Sequence, residues 1–172
     1  MTQSSPIAGP MPGFCQLDHV SKTVPDLNAA IDFYTTVFGA EVLHRMGPFD
    51  AADMPAEADG RDWTEAHIDV PGARLELAML QLGPNLMIEL FQYDKPADAR
   101  KTPPRNCDCG GQHLAFKVEN LEDACAYLEQ HGCRILSGLI EMDSGPTAGC
   151  RARYVVDPWG NYMELMEYGR QA

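Results

Sequence analysis

Apolar positions recur along this chain with two periods, and the same order of periods comes twice. Leu17 to Val24 alternates and is rich in β-formers, which predicts a strand with His19 near its start. Pro25-Asp26 breaks it, and Asp26 stands as N-cap to a helix from Leu27 to Phe38. Leu27, Ala30, Ile31, Tyr34 and Phe38 form its apolar face, and Gly39 ends it. A strand over Glu41 to Arg45 follows, and later strands over Ala73 to Leu82 and Leu86 to Tyr93 flank a Gly83-Pro84-Asn85 turn. Gly47 to Gly60 shows no period and reads as a loop, with a further short strand around Glu65 to Val70. Asp94 to Gly111, rich in proline, glycine and charge, reads as a linker. The order then repeats: strand His113 to Val118, helix Leu121 to His131, Gly132, strand Arg134 to Ser137 and a loop through Asp143-Ser144-Gly145-Pro146. Strands Arg151 to Val156 and Tyr162 to Tyr168 close it, joined by Asp157-Pro158-Trp159-Gly160-Asn161.

The two halves match residue for residue where it counts. Asp18-His19-Val20 corresponds to Gln112-His113-Leu114, and the helices that follow align at the same offset. Each half ends in a strand with one inward carboxylate, Met87-Ile88-Glu89-Leu90 and Tyr162-Met163-Glu164-Leu165. The expected fold is α+β, two βαβββ modules forming a curved mixed sheet around a metal-binding cavity. A half sheet cannot close alone, so two halves are expected to enclose a space where they meet. The expected segments are a flexible leader over 1–14, a first module over 15–94, a linker over 95–111 and a second module over 112–170.

Composition narrows the class further. At 172 residues the chain is long enough to bury a real core. A formal net charge of -12 argues against nucleic acid, since little here would displace counterions from phosphates. No apolar run approaches the ~20 residues needed to cross a bilayer. The start of the chain lacks the basic end and apolar core of a secretory signal, so its six cysteines are expected to be reduced thiols in a cytoplasmic protein.

His19, Glu89, His113 and Glu164 are the candidate metal ligands. A catalytic divalent ion wants three or four N/O donors from protein and open positions for substrate oxygen. Period-2 geometry puts Glu89, Phe91 and Tyr93 on one strand face, and Glu164, Met166 and Tyr168 on another. A lone carboxylate among such neighbours is costly unless paired or coordinated. Other residues read as structural: Cys107 and Cys109 as linker thiols, His67 as a strand residue, His44 and His131 as solvated, and Trp159 as a turn residue packing on the sheet rim. Arg100, Lys101 and Arg105 make a basic patch in the linker, either solvated or holding an anionic substrate tail. Arg151 and Arg153 alternate on a strand, facing either solvent or an inward carboxylate. No nucleophilic triad, phosphate loop or dinucleotide fingerprint is present.

The segments DHVSKTVPDLNAAIDFYTTVFG, MIELF, GGQHLAFKVENLEDACAYLEQHG and VVDPWGNYMELMEY resemble the vicinal-oxygen-chelate superfamily over roughly residues 15 to 170. That group includes glyoxalase I, methylmalonyl-CoA epimerase, extradiol dioxygenases and bleomycin- or fosfomycin-resistance proteins. The resemblance implies a lyase or isomerase using a divalent ion (Ni, Zn, Co, Mn or Fe) to chelate vicinal oxygens of a small substrate. Glu164 or Glu89 would be the base at the adjacent carbon. It also implies a likeness to homodimeric members, with the site closing within one chain or across two. Two alternatives stand beside this reading. One is an Fe(II) extradiol-type dioxygenase using His19, His113 and Glu164, which leaves Glu89 superfluous. The other is a metal-free protein that binds or sequesters a small molecule.

Overall fold

A computed structural model describes Met11 and residues 13–169, so most of the expected leader lies outside the described residues. The first module runs β1 (His19–Thr23), α1 (Leu27–Phe38), β2 (Glu41–Asp50), a 3-10 turn (Ala51–Asp53), α2 (Trp63–Ile68), β3 (Arg74–Leu82) and β4 (Leu86–Lys95). The second runs β5 (His113–Val118), α3 (Leu121–Gln130), β6 (Arg134–Glu141), β7 (Cys150–Val156) and β8 (Tyr162–Tyr168).

The two modules fold alike because the same local devices recur. Asp26 accepts a bond from the Ala29 N–H at 2.9 Å to cap α1, and Asn120 does the same for Asp123 at 2.9 Å on α3. A side chain of the last strand ties down each helix start as well. Gln92 accepts from the Leu27 N–H and Glu167 from the Leu121 N–H, both at 2.7 Å. Each module forms a four-stranded mixed sheet, ordered β1-β4-β3-β2 and β5-β8-β7-β6, with β1 and β5 parallel to their neighbours and the rest antiparallel. The α+β class and the paired modules are as expected.

Two local expectations are corrected. The Gly47–Gly60 stretch is not loop throughout, because β2 continues to Asp50 across a bulge between Met46 and Phe49. Gly47 makes that bulge possible: its φ is +96°, and a Cβ there would lie 2.9 Å from the Leu75 carbonyl oxygen. Glu65–Val70 is not a strand but largely the helix α2. Asp62 holds it, accepting from the N–H groups of Thr64, Glu65 and Gly72, while the buried Thr64 hydroxyl accepts from the Ala73 N–H. A helix of six residues is too short to display a 3.6 period, so its β-compatible residues misdirect a periodicity reading.

One apolar core joins the modules. It contains Leu27, Tyr34, Ile88 and Leu90 from the first module and Leu121, Leu128, Val155, Met163 and Leu165 from the second. Phe38 stacks on Phe116 with centroids 4.5 Å apart, and Trp159 meets Phe33 edge-on at 5.4 Å. Trp159 thus packs at the sheet rim, as its turn position suggests. The halves therefore meet through their helix-side faces, and the two sheets do not close around a shared space. Among the described residues no helix is long and apolar enough to cross a membrane, and all six cysteines are free.

Candidate metal centre

Strand alternation sets where the four candidate ligands point. Ile88 and Leu90 are fully buried in the core, so Glu89 between them faces the opposite side of the first sheet. Met163 and Leu165 do the same for Glu164 in the second sheet. His19 and His113 start the neighbouring parallel strands, in register with Met87 and Tyr162. In each module the histidine Nε2 lies 3.3 Å from an oxygen of the glutamate. The glutamate side chains are 19% and 13% exposed and the histidines 36% and 35%, so both pairs sit half-shielded on an open sheet face.

That separation suits a shared cation. Two donors on one first-row ion, with bonds of about 2.1 Å, stand about 3.0 to 3.4 Å apart at a tetrahedral or octahedral edge. Imidazole nitrogen and carboxylate oxygen are also a donor mix suited to Zn, Fe, Ni or Mn. Each pair thus fits half of a four-donor site. The halves do not meet within the chain. Among the described residues, no three His, Cys, Asp or Glu side chains are placed to hold one ion. The expectation of one site where the two halves join is corrected: their junction is the helix-side core, and the pairs lie on the outer faces.

The surroundings of the two pairs differ. The Asp18 carboxylate is 2.7 Å from His19 Nδ1 and, with Glu89 adding to it, raises the imidazole pKa above its ordinary value. Such a bond orients the ring with Nε2 toward Glu89. His113 instead forms a T-shaped pair with the ring of Tyr154, at 5.1 Å between centroids. Tyr154 stands directly opposite Glu164 in the β7–β8 register. Burial, and then the charge of Glu164, pushes its phenol pKa up. Burial and Glu89 act likewise on Tyr93. Both phenols therefore stay protonated beside a carboxylate and can donate to a ligand oxygen. Asp18 sits next to His19 in the sequence, a signal within reach. Tyr154 needed the cross-strand register to be found.

The remaining candidates fall elsewhere. His44 is exposed in the middle of β2. It pairs with Met79, which pairs with Glu89, so it shares that face two strands away. His67 belongs to α2, not a strand, and stacks on Trp63 at 5.8 Å. His131 follows α3, with Nδ1 2.8 Å from the Tyr127 carbonyl oxygen. Arg151 points to the helix side, where it pairs with Glu122 and with Glu167 at 3.4 Å, so protein carboxylates already occupy it. Cys107 and Cys109 are exposed thiols, and Arg105 is tied to Asp108 at 2.7 Å.

Comparison with known proteins places the chain in a lineage. The model of the Glyoxalase/Bleomycin resistance protein/Dioxygenase superfamily matches residues 16–165. The 2-epi-5-epi-valiolone epimerase of an Actinomyces species is 41% identical over 158 residues, 91% of this chain and 81% of that protein. An ethylmalonyl-CoA/methylmalonyl-CoA epimerase of Cereibacter sphaeroides is 29% identical over 121 residues, 70% of this chain and 74% of its own. Among solved structures, a glyoxalase family protein from Bacillus cereus superposes with a TM-score of 0.68 at 21% identity, covering 93% of this chain and all of that one. The family model over residues 16–165 and the relative at 41% identity show that the chain belongs to the Glyoxalase/Bleomycin resistance protein/Dioxygenase superfamily.

Proposed function

We propose that this protein is a divalent-metal-dependent epimerase, acting on 2-epi-5-epi-valiolone or a close chemical relative of that ketone. The observation that carries the reading is the repeated pair, His19 with Glu89 and His113 with Glu164, each at 3.3 Å. The substrate class is taken from the relative at 41% identity. Because the pairs face outward on separate sheets, a complete site needs the first pair of one copy and the second pair of another. This supports a homodimer with two equivalent sites, which isologous symmetry would generate together.

A bound divalent ion would hold the substrate's adjacent oxygens and make the neighbouring C–H more acidic. His19 and His113 would supply neutral Nε2 donors, His19 with its ring oriented by Asp18. One of Glu89 and Glu164 would remove the proton at the epimerising carbon, and the other would return one to the opposite face. Tyr154 and Tyr93 would donate to substrate oxygens beside the two carboxylates. That Glu89 pairs with its histidine just as Glu164 does supports a four-donor site over a two-histidine, one-carboxylate triad.

The test combines metal analysis with solvent-deuterium exchange at the epimerisable carbon. The expected result is one divalent ion per complete site and metal-dependent exchange. Full metal loading with no exchange on any valiolone-type ketone would overturn the reading. Mixing inactive His19→Ala and His113→Ala chains tests the shared site. Random re-pairing should restore about a quarter of wild-type activity, and no recovery would place the whole site within one chain.

A further inference from the structure

A cavity of about 600 Å³ lies beneath the segment that follows β4, between it and the edge strand β1. Its walls include the consecutive residues Ser21 to Pro25, so it runs along the free edge of β1 rather than over one face. The Val24 N–H donates to the Phe91 carbonyl on the β4 side. By alternation, the N–H groups of Ser21 and Thr23 point to the free edge, where the cavity lies.

The charge of this cavity opposes that of the chain. Lys22, Arg100 and Lys101 line it, and no aspartate or glutamate does, in a protein of net charge -12. Arg100 and Lys101 form no ion pair among the described residues, unlike Arg105 nearby. Lys22 is the sharper observation. It is 7% exposed, and its Nζ finds no hydrogen-bond partner among the described residues. Burial lowers its pKa while Asp157 acts to raise it from beyond bonding distance. A buried, unpartnered ammonium is costly and requires a reason.

The repeat shows that the fold supplies none. Lys22 stands three residues after His19, and the matching position three after His113 is Phe116, stacked against Phe38 in the core. An apolar residue satisfies the same site in the second module, so the amine of Lys22 answers to something other than packing. The rest of the wall is largely apolar, with Val24, Val70 and Trp159 prominent.

We propose that this cavity is a second binding site, for a small organic anion. Its oxyanion meets Lys22, Arg100 and Lys101, and its apolar body lies against Val24, Val70 and Trp159. The Lys22 side chain points away from the His19–Glu89 face, while Ser21 and Tyr93 are wall residues that the cavity shares with that face. The cavity uses none of the four candidate ligands, and the proposal does not rest on the epimerase reading.

Calorimetric titration of the full-length protein with hexanoate and with hexylamine, a cation of the same length, tests the site. Hexanoate should bind saturably, one per chain, with millimolar or tighter affinity, and hexylamine should not. Lys22→Met, which keeps the stem and removes the charge, should weaken hexanoate about tenfold or more. The surface double variant Arg100→Ala/Lys101→Ala should weaken it about threefold to tenfold, and serves if Lys22→Met does not fold. His113→Ala should leave it unchanged. Absence of saturable binding, equal binding of the amine, wild-type affinity in either cationic variant, or loss in His113→Ala would each overturn the proposal.

Discussion

The two modules present the same histidine–glutamate contact at 3.3 Å and differ in what stands behind it. In the first, a carboxylate holds the far nitrogen of His19 at 2.7 Å; in the second, the ring of Tyr154 packs against His113 in a T-shaped pair. One position after Asp18 and its match Gln112, the donor type is kept; three residues further, Lys22 corresponds to Phe116. Duplication preserved the donors and the capping devices that hold strand to helix. The residues around them differ, because each module's donors and caps stand among different neighbours. A repeat therefore identifies a candidate site by what stays equal and the individuality of each half by what does not.

The largest expected effect breaks the equality itself. Glu164→Ala and Glu89→Ala should each lower turnover about 10²- to 10⁴-fold, measured as deuterium exchange. Metal content separates the roles: a glutamate acting as base loses rate with the ion retained, whereas a pure ligand loses both. If Glu89→Ala keeps full rate, the matched pairs are not functionally matched.

Next comes the junction. Phe116→Ala removes the ring stacked on Phe38 and should cost about 2 to 3 kcal/mol in denaturant unfolding, below the fully buried range because Phe116 is half-buried. Unchanged stability would mean that the modules do not depend on this contact.

Smaller still is the asymmetry behind the histidines. Asp18→Ala should weaken metal affinity about tenfold by releasing the His19 ring, while Tyr154→Phe, which keeps the packing on His113, should alter affinity less. Equal effects in a competitive chelator titration would erase the contrast between the modules.

The smallest effect concerns a helix that only the first module has. Three backbone N–H groups and the Thr64 hydroxyl hold the Asp62 pKa down to about 2. Its contribution is therefore present above the ordinary carboxylate range and fades as pH falls toward about 2. Amide exchange over Trp63–Ile68 should quicken selectively in Asp62→Ala. In the native protein the same acceleration should accompany acidification through that window, before the second module responds. Uniform exchange across both modules would remove the distinction.

Much of this was legible in the residues. The helix over Leu27–Phe38, and the strands over His113–Val118 and Tyr162–Tyr168, follow from apolar period, capping aspartate and turn residues, all local signals. So do the four candidate donors, since alternation puts Glu89 and Glu164 on the face opposite the buried Ile88 and Met163. The errors lie where local signals are weak. The bulge at Gly47 and the six-residue helix at Trp63 are decided by contacts with Leu75, Gly72 and Ala73, distant in sequence or too short in extent to leave a period.

What the sequence determined by itself is the module and the face on which its candidate donors stand, because strand and helix periodicity report which way each side chain faces. What only the tertiary structure decided is how the two modules meet. Nothing in a repeat says whether its halves join by their donor faces or by their helix faces, since both are apolar enough to pack. Here Phe38 on Phe116 and Trp159 on Phe33 bury the helix side, leaving each histidine–glutamate pair on an outer face. The same packing placed a buried lysine beside a cavity, a feature no spacing along the chain could reveal.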